Sequence, residues 1–355
     1  MSDHISGQEL ARNFYVKVVQ RIVNVPHSAA LLGEGSEVLG YDQPRSTDHS
    51  WGPRLQIFVA SDDIEGVRLE VERGLPEDFG SYPVRFYSWQ TKSVRHHVEV
   101  TTLDEWLNSQ LGVKSPSELT PAKWLTIPQQ HLLQVKAGSV FRDDLGKLRK
   151  ARTELSWYPK DVWLWMMASQ WHIIGNTQPY FGRIVETSDF RGASLIVFRL
   201  VRLIMELCFL QERRYWPYLK WFGTAFSRLN IAPIIGPILD RALQSTDHHT
   251  REDNINQALM LLGAQHNTLA LTEKMFPNIH SFEIGINYAV RPYPVLNAGE
   301  FANVCRNSII DKRLYGIPTV GSIDQLTHAD DLLVNFTSWP QQLEALYRAD
   351  PVHKT

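Results

Sequence analysis

Cysteine is scarce. Cys208 and Cys305 are the only two in 355 residues, which excludes a disulfide scaffold and a structural zinc site built mainly on thiolates. An excess of one charge is also lacking: 36 Lys and Arg stand against 38 Asp and Glu, a formal net charge of -2. A protein that coats nucleic acid or an anionic membrane over a broad face is normally more basic. Nucleic acid as a partner is therefore not indicated by charge. No long apolar run occurs. The most apolar helical stretch, Leu195 to Leu210, is interrupted by Arg199, Arg202 and Glu206, and a spanning helix needs about 20 nearly uncharged residues. No membrane crossing is expected. Met1-Ser2-Asp3-His4 shows no basic segment ahead of an apolar core, so a cytoplasmic protein is expected.

What is present suits a folded protein. The chain is 43% hydrophobic and 21% charged, with 11 tryptophans that must be buried or used as contact surface. Its length suggests two domains. Leu10, Phe14, Val18 and Ile22 recur every four residues and predict a helix over 8–25, ended by Pro26. The run Ala29 to Leu32 predicts a buried strand that enters the turn Gly33-Glu34-Gly35-Ser36. Further strands are expected over 55–60, 84–89 and 94–101, and a helix over 64–73. Beyond Ser115-Pro116 the pattern turns helical, with helices expected over 121–136, 145–157, 160–175, 190–213, 216–229 and 250–270. The helix from Ala193 to Glu212 is apolar almost all round and reads as the centre of a bundle.

Spacing eliminates several site types. A P-loop needs Gly-Lys-Ser/Thr, which is absent. A dinucleotide fingerprint needs glycine at 38, where Val38 stands. A nucleophile elbow on Ser36 needs glycine at 34 and 38, which are Glu34 and Val38. The stretch from Gly33 to Phe58 remains the richest. Gly35 and Ser36 make a turn after the first strand, Asp48 follows 12 residues later, and Glu99 sits between Val98 and Val100 on an alternating strand. Two readings of Glu99 stay open, a ligand on a functional face or one member of a solvated face with His97 and Thr101. Arg54 and Arg45 either contact phosphates or make surface ion pairs. The segment Arg213 to Trp221 mixes cations and rings. Lys220 within it either reaches a ligand or belongs to a helix break at Pro217 whose aromatics pack the bundle, and Trp216 and Trp221 are expected to pack.

These runs resemble an uncharacterised branch of the polymerase-beta-like nucleotidyltransferase superfamily. The resemblance rests on Gly35-Ser36-Glu37-Val38-Leu39-Gly40, on Asp48-His49-Ser50-Trp51-Gly52-Pro53-Arg54, on the segment from Glu212 to Phe226, and on Gly321-Ser322-Ile323-Asp324-Gln325. It implies a small mixed α+β nucleotidyltransferase-type domain over 1–117 and a mostly α-helical domain over 118–355. It further implies transfer of a nucleoside monophosphate from an NTP to a hydroxyl-type acceptor, a small molecule being favoured. Gly35, Ser36, Arg54 and Lys220 would bind the nucleotide. Asp48 and Glu99 would be catalytic and would hold Mg²⁺ or Mn²⁺, with Asp48 on a strand and the turn at a helix N-terminus.

The chain departs from that pattern at one place. Position 50, where the pattern has a second carboxylate, is Ser50. A hydroxyl is a far poorer Mg²⁺ ligand than a carboxylate. The alternative expectation is a catalytically degenerate protein of the same fold, binding a nucleotide or a partner without turnover.

Overall fold

The computed structural model describes residues 5–48, 51–88, 91–283, 290–315, 317, 319, 321–326, 341 and 344–347. The protein is α+β and divides into two compact units. The chain leaves the first unit after Thr120, returns at Ile127 and leaves again after Ser156. The return carries a strand that the helical pattern had hidden.

The first unit opens with α1 (Gly7–Phe14), where the Ser6 hydroxyl accepts the Glu9 amide at 3.3 Å. A π turn, Tyr15–Val19, follows within the same helical stretch. A π turn inserts one residue into the helical repeat. The buried stripe therefore shifts: Leu10 and Phe14 are buried before it, and Val19 and Val23 after it, in place of Val18 and Ile22.

Five strands form the sheet: β1 (Ser28–Leu31), β2 (Arg54–Phe58), β3 (Arg85–Ser88), β4 (Ser93–Thr101) and β5 (Ser139–Asp143). Their spatial order is β3-β4-β2-β1-β5. Only the β2–β4 pair is parallel among them; such a pair needs a crossover, here made by α2 (Ile64–Gly74). Leu55 and Ile57 of β2 and Val98 and Val100 of β4 turn one face onto Phe14, Val19, Val67 and Val71, and all eight are buried. Alternation puts Arg54, Gln56 and Phe58, with their partners His97, Glu99 and Thr101, on the opposite face. Helices α3 (Leu103–Leu111) and α4 (Gln129–Lys136) pack together, and α5 (Lys147–Glu154) follows β5.

The second unit holds α6 (Lys160–Glu186), α7 (Phe190–Gln211), α8 (Leu219–Phe226), α9 (Ala232–Gln244), α10 (His248–Thr268) and α11 (Ala298–Asn307). An antiparallel ribbon, β6 (Ile279–Glu283) and β7 (Val290–Leu296), precedes α11. The expected central helix is α7, which packs against α6, α8, α9 and α10. The tail motif is built into this unit: the Gln325 side-chain amide donates to Gln170 Oε1 at 2.7 Å and to the Met166 carbonyl at 3.2 Å. Among the described residues no helix is long and apolar enough to cross a membrane.

Candidate functional site

The turn after β1 is set by two glycines in the left-handed half of backbone space, Gly33 at φ 86° and Gly35 at φ 124°. The Gly33 amide donates to the Gln134 carbonyl of α4 at 3.0 Å. Gln56 of β2 clamps the residue before the turn, accepting the Leu32 amide at 2.9 Å and donating back to the Leu32 carbonyl at 3.4 Å. Residues 36–40 continue as turns, with Tyr41 N donating to the Ser36 carbonyl at 2.9 Å. No helix begins at Ser36, so the helix N-terminus expected there is not present, and no helix dipole adds to the turn's amides.

Arg54 comes from the first position of β2 and reaches this turn. Its Nε donates to Glu37 Oε1 at 2.8 Å, its Nη2 donates to the same oxygen at 2.5 Å, and Nη2 also donates to the Glu34 carbonyl. The pair is largely out of solvent, with 15% of the Arg54 side chain and 6% of the Glu37 side chain exposed. Gly35, Ser36 and Arg54 are thus brought together, and Glu37 joins them.

Glu99 stands on the polar face of β4 opposite Gln56. Protein packed around its carboxyl raises the pKa, while a hydrogen bond from Gln56 and the charges of Arg95, Arg54 and Arg68 act to lower it. The residue as a whole is exposed. His97, two residues before it, stacks on Phe86 at a ring separation of 3.8 Å and hydrogen-bonds the Phe86 carbonyl at 3.1 Å. Burial lowers the His97 pKa to about 4, so the ring is neutral at pH 7.

Asp48 closes a 3₁₀ turn, Pro44–Asp48, and β2 starts only at Arg54, so Asp48 is not on the strand that the pattern expected. His49 and Ser50 lie outside the described residues. Asp42 serves the fold, accepting the Gly7 amide at 2.7 Å and Trp51 Nε1 at 3.3 Å. Arg45 is exposed on the 3₁₀ turn. Lys220 belongs to the second unit, exposed on α8, with its ammonium 5.0 Å from the Trp221 ring centre. Trp216 and Trp221 are buried, as packing residues would be.

A divalent cation needs several anionic oxygens converging on one point. The charged groups that bear most on Glu99 are guanidiniums, and Glu37 is engaged by Arg54. Among the described residues no group of three His, Cys, Asp or Glu could hold a metal ion. The Asp48 side chain, with His49 and Ser50, lies outside the described residues.

A cavity of about 610 Å³ in the first unit shares none of these residues. Its charged wall, Arg142 and Asp144, is neutralised internally at 2.8 Å. Sequence reasoning missed Glu37 and Gln56 as parts of the site. The period of two on β2 signals Gln56, which stands two residues after Arg54; no spacing rule signals that Glu37 folds back onto an arginine 17 residues on.

Residues 124–222 match the family described as a domain of unknown function (DUF4037). Curated proteins supply no match. A crystal structure of a nucleotidyltransferase-like protein from Exiguobacterium sibiricum 255-15 is similar over 78% of this chain and 82% of its own, at 9% identity and a TM-score of 0.34. At that TM-score too little of the two chains superposes for a role to pass from one to the other.

Proposed function

We propose that the first unit is a degenerate nucleotidyltransferase-type module that binds the phosphates of a nucleoside triphosphate at the Gly33–Ser36 turn and Arg54 without transferring the nucleotide. The observation that carries this reading is the setting of Glu99. Its carboxyl feels the charges of Arg95, Arg54 and Arg68, and among the described residues no group of three His, Cys, Asp or Glu could hold a metal ion. Ser50 in place of a carboxylate agrees with it. The binding half of the reading is supported by the glycine turn, whose positive-φ residues carry no side chain, and by Arg54, whose planar fork matches phosphate oxygens.

The test measures binding and turnover separately. Calorimetric titration of ATP, GTP, CTP and UTP with and without Mg²⁺ is expected to find at least one nucleotide bound without a metal requirement. Pyrophosphate release is expected at background, and still at background in Ser50→Asp, because restoring one charge does not remove the guanidiniums around Glu99. Metal-dependent release by the wild type that is lost in Asp48→Asn would overturn the reading in favour of an active transferase acting on a hydroxyl-type acceptor. Failure of every nucleotide to bind would overturn it altogether.

A further inference from the structure

The glycine turn already holds an anion. A Cβ placed on Gly35 would lie 2.5 Å from both carboxylate oxygens of Glu37 and 2.7 Å from Arg54 Nη2. The carboxylate and the guanidinium together fill the room that the missing side chain leaves. The backbone of Glu37 is fixed separately: Gln8 Nε2 donates to the Glu37 carbonyl at 2.9 Å and to the Val38 carbonyl at 3.2 Å. Its Cβ lies against Gly7, where an added Cβ would meet it at 2.5 Å. The carboxylate itself has looser ties. Both bonds from Arg54 end on Oε1, and no described residue donates to Oε2.

A carboxylate and a phosphoryl group present similar oxygen forks to a guanidinium. From this geometry we infer that Glu37 is an internal stand-in for phosphate, and that a ligand phosphoryl group takes Arg54 by displacing the Glu37 carboxylate. The inference rests on the reading of this turn as a phosphate site. It names a ligand class, an oligophosphate chain, because the displaced carboxylate stays nearby on a fixed backbone. A chain of two or more phosphoryl groups can keep one group on Arg54 while the others lie farther from the carboxylate, where repulsion weakens with distance.

The experiment compares wild type, Glu37→Gln, Glu37→Asp and Arg54→Gln. Each is titrated with sodium tripolyphosphate and with metal-free ATP, against sodium chloride at equal ionic strength. A neutral amide holds Arg54 less firmly than a carboxylate, so Glu37→Gln is expected to bind both probes roughly tenfold more tightly than wild type, the factor that separates a charge-assisted from a neutral hydrogen bond. Glu37→Asp retains the charge but retracts it by one methylene, and a smaller gain is expected. Arg54→Gln is expected to bind neither probe. If Glu37→Gln does not fold, Glu37→Asp decides, together with thermal midpoints in which tripolyphosphate raises the variant more than the wild type. Wild-type binding with no gain in either Glu37 variant overturns the stand-in and leaves the phosphate site. No binding by wild type or either Glu37 variant overturns both.

Discussion

Each unit contains an arginine–glutamate pair, and the two are built differently. On α7 of the second unit, Arg202 Nε donates to Glu206 Oε1 at 2.7 Å, and Gln170 Nε2 donates to Oε2 at 3.2 Å. Gln170 is held in turn by Gln325, and Arg202 lies over the Phe222 ring at 3.8 Å. Glu206 is fully buried, and both of its oxygens are used by core groups. In the first unit Glu37 is nearly as buried, but one oxygen takes both bonds from Arg54, the other takes none from a described residue, and both lie beside Gly35. A buried charge pair costs desolvation that only full hydrogen bonding offsets. Glu206 meets that condition with residues that have no other place to go. Glu37 meets it in part, with an arginine that another anion can claim. Burial alone does not separate a structural pair from an exchangeable one; the use of the second oxygen does.

Glu206→Ala removes the partner of Arg202 and a hydrogen-bond acceptor of Gln170. Breaking a buried pair on one side costs about 3–5 kcal/mol, and Arg202, 23% exposed, places this one at the lower end. Denaturant unfolding is expected to show that loss with no change in nucleotide affinity of the folded fraction. A loss below about 1 kcal/mol, the range of an exposed pair, would mean that the two pairs are not different in kind.

Acid gives the next largest effect. His266 is buried on α10, where Trp171 Nε1 donates to its Nδ1 at 3.3 Å and its Nε2 meets the Thr272 hydroxyl at 3.1 Å. A second proton would set two N–H groups against each other. Burial lowers its pKa to about 4 from the ordinary 6.5. The unfolded chain therefore takes up a proton that the folded chain refuses. Stability is full above pH 6.5 and falls as pH drops from 6.5 through 4, by roughly 3 kcal/mol at one pKa unit per 1.36 kcal/mol. His266→Gln is expected to flatten that slope in the unfolding of the second unit. His97 keeps its own slope in the first unit, since burial also lowers its pKa to about 4.

How much of this was legible depended on whether a feature is periodic. The buried face of β2 and β4 and the position of Glu99 opposite it follow from alternation, because Val98 and Val100 flank it. The π turn at Tyr15–Val19 is not periodic, and it displaced the expected stripe by one residue. β5 escaped because its five residues, Ser139–Asp143, are all half-buried and carry no apolar alternation; its pairing with β1 is a long-range fact. α9 was not among the expected helices, and it carries two prolines. Pro233 lies in the first turn, where its missing N–H has no intrahelical acceptor, and Pro237 is carried inside the helix. The pairing of Glu37 with Arg54 depends on where a turn folds back, which no residue pattern encodes.

Gly35→Ala sharpens the comparison from the flexible end. At φ 124° an L side chain is strained by about 1–3 kcal/mol. The same Cβ would meet the Glu37 carboxylate, a movable group, and drive it off Arg54. The stability loss should therefore remain near the strain value, well below that of Glu206→Ala, and thermal unfolding measures it.

The smallest effect is expected at Lys220. Its ammonium sits over Trp221 on an exposed helical turn, where a cation–π contact contributes about 0.5–1 kcal/mol. Lys220→Ala should lower stability by that amount and leave tripolyphosphate affinity unchanged, because the anion held in this structure is bound wholly by first-unit groups. A drop in affinity of threefold or more, with the fold intact by circular dichroism, would assign Lys220 to the phosphates. The contrast drawn between the two units would then be one of degree, since a cation of the second would share the anion with Arg54.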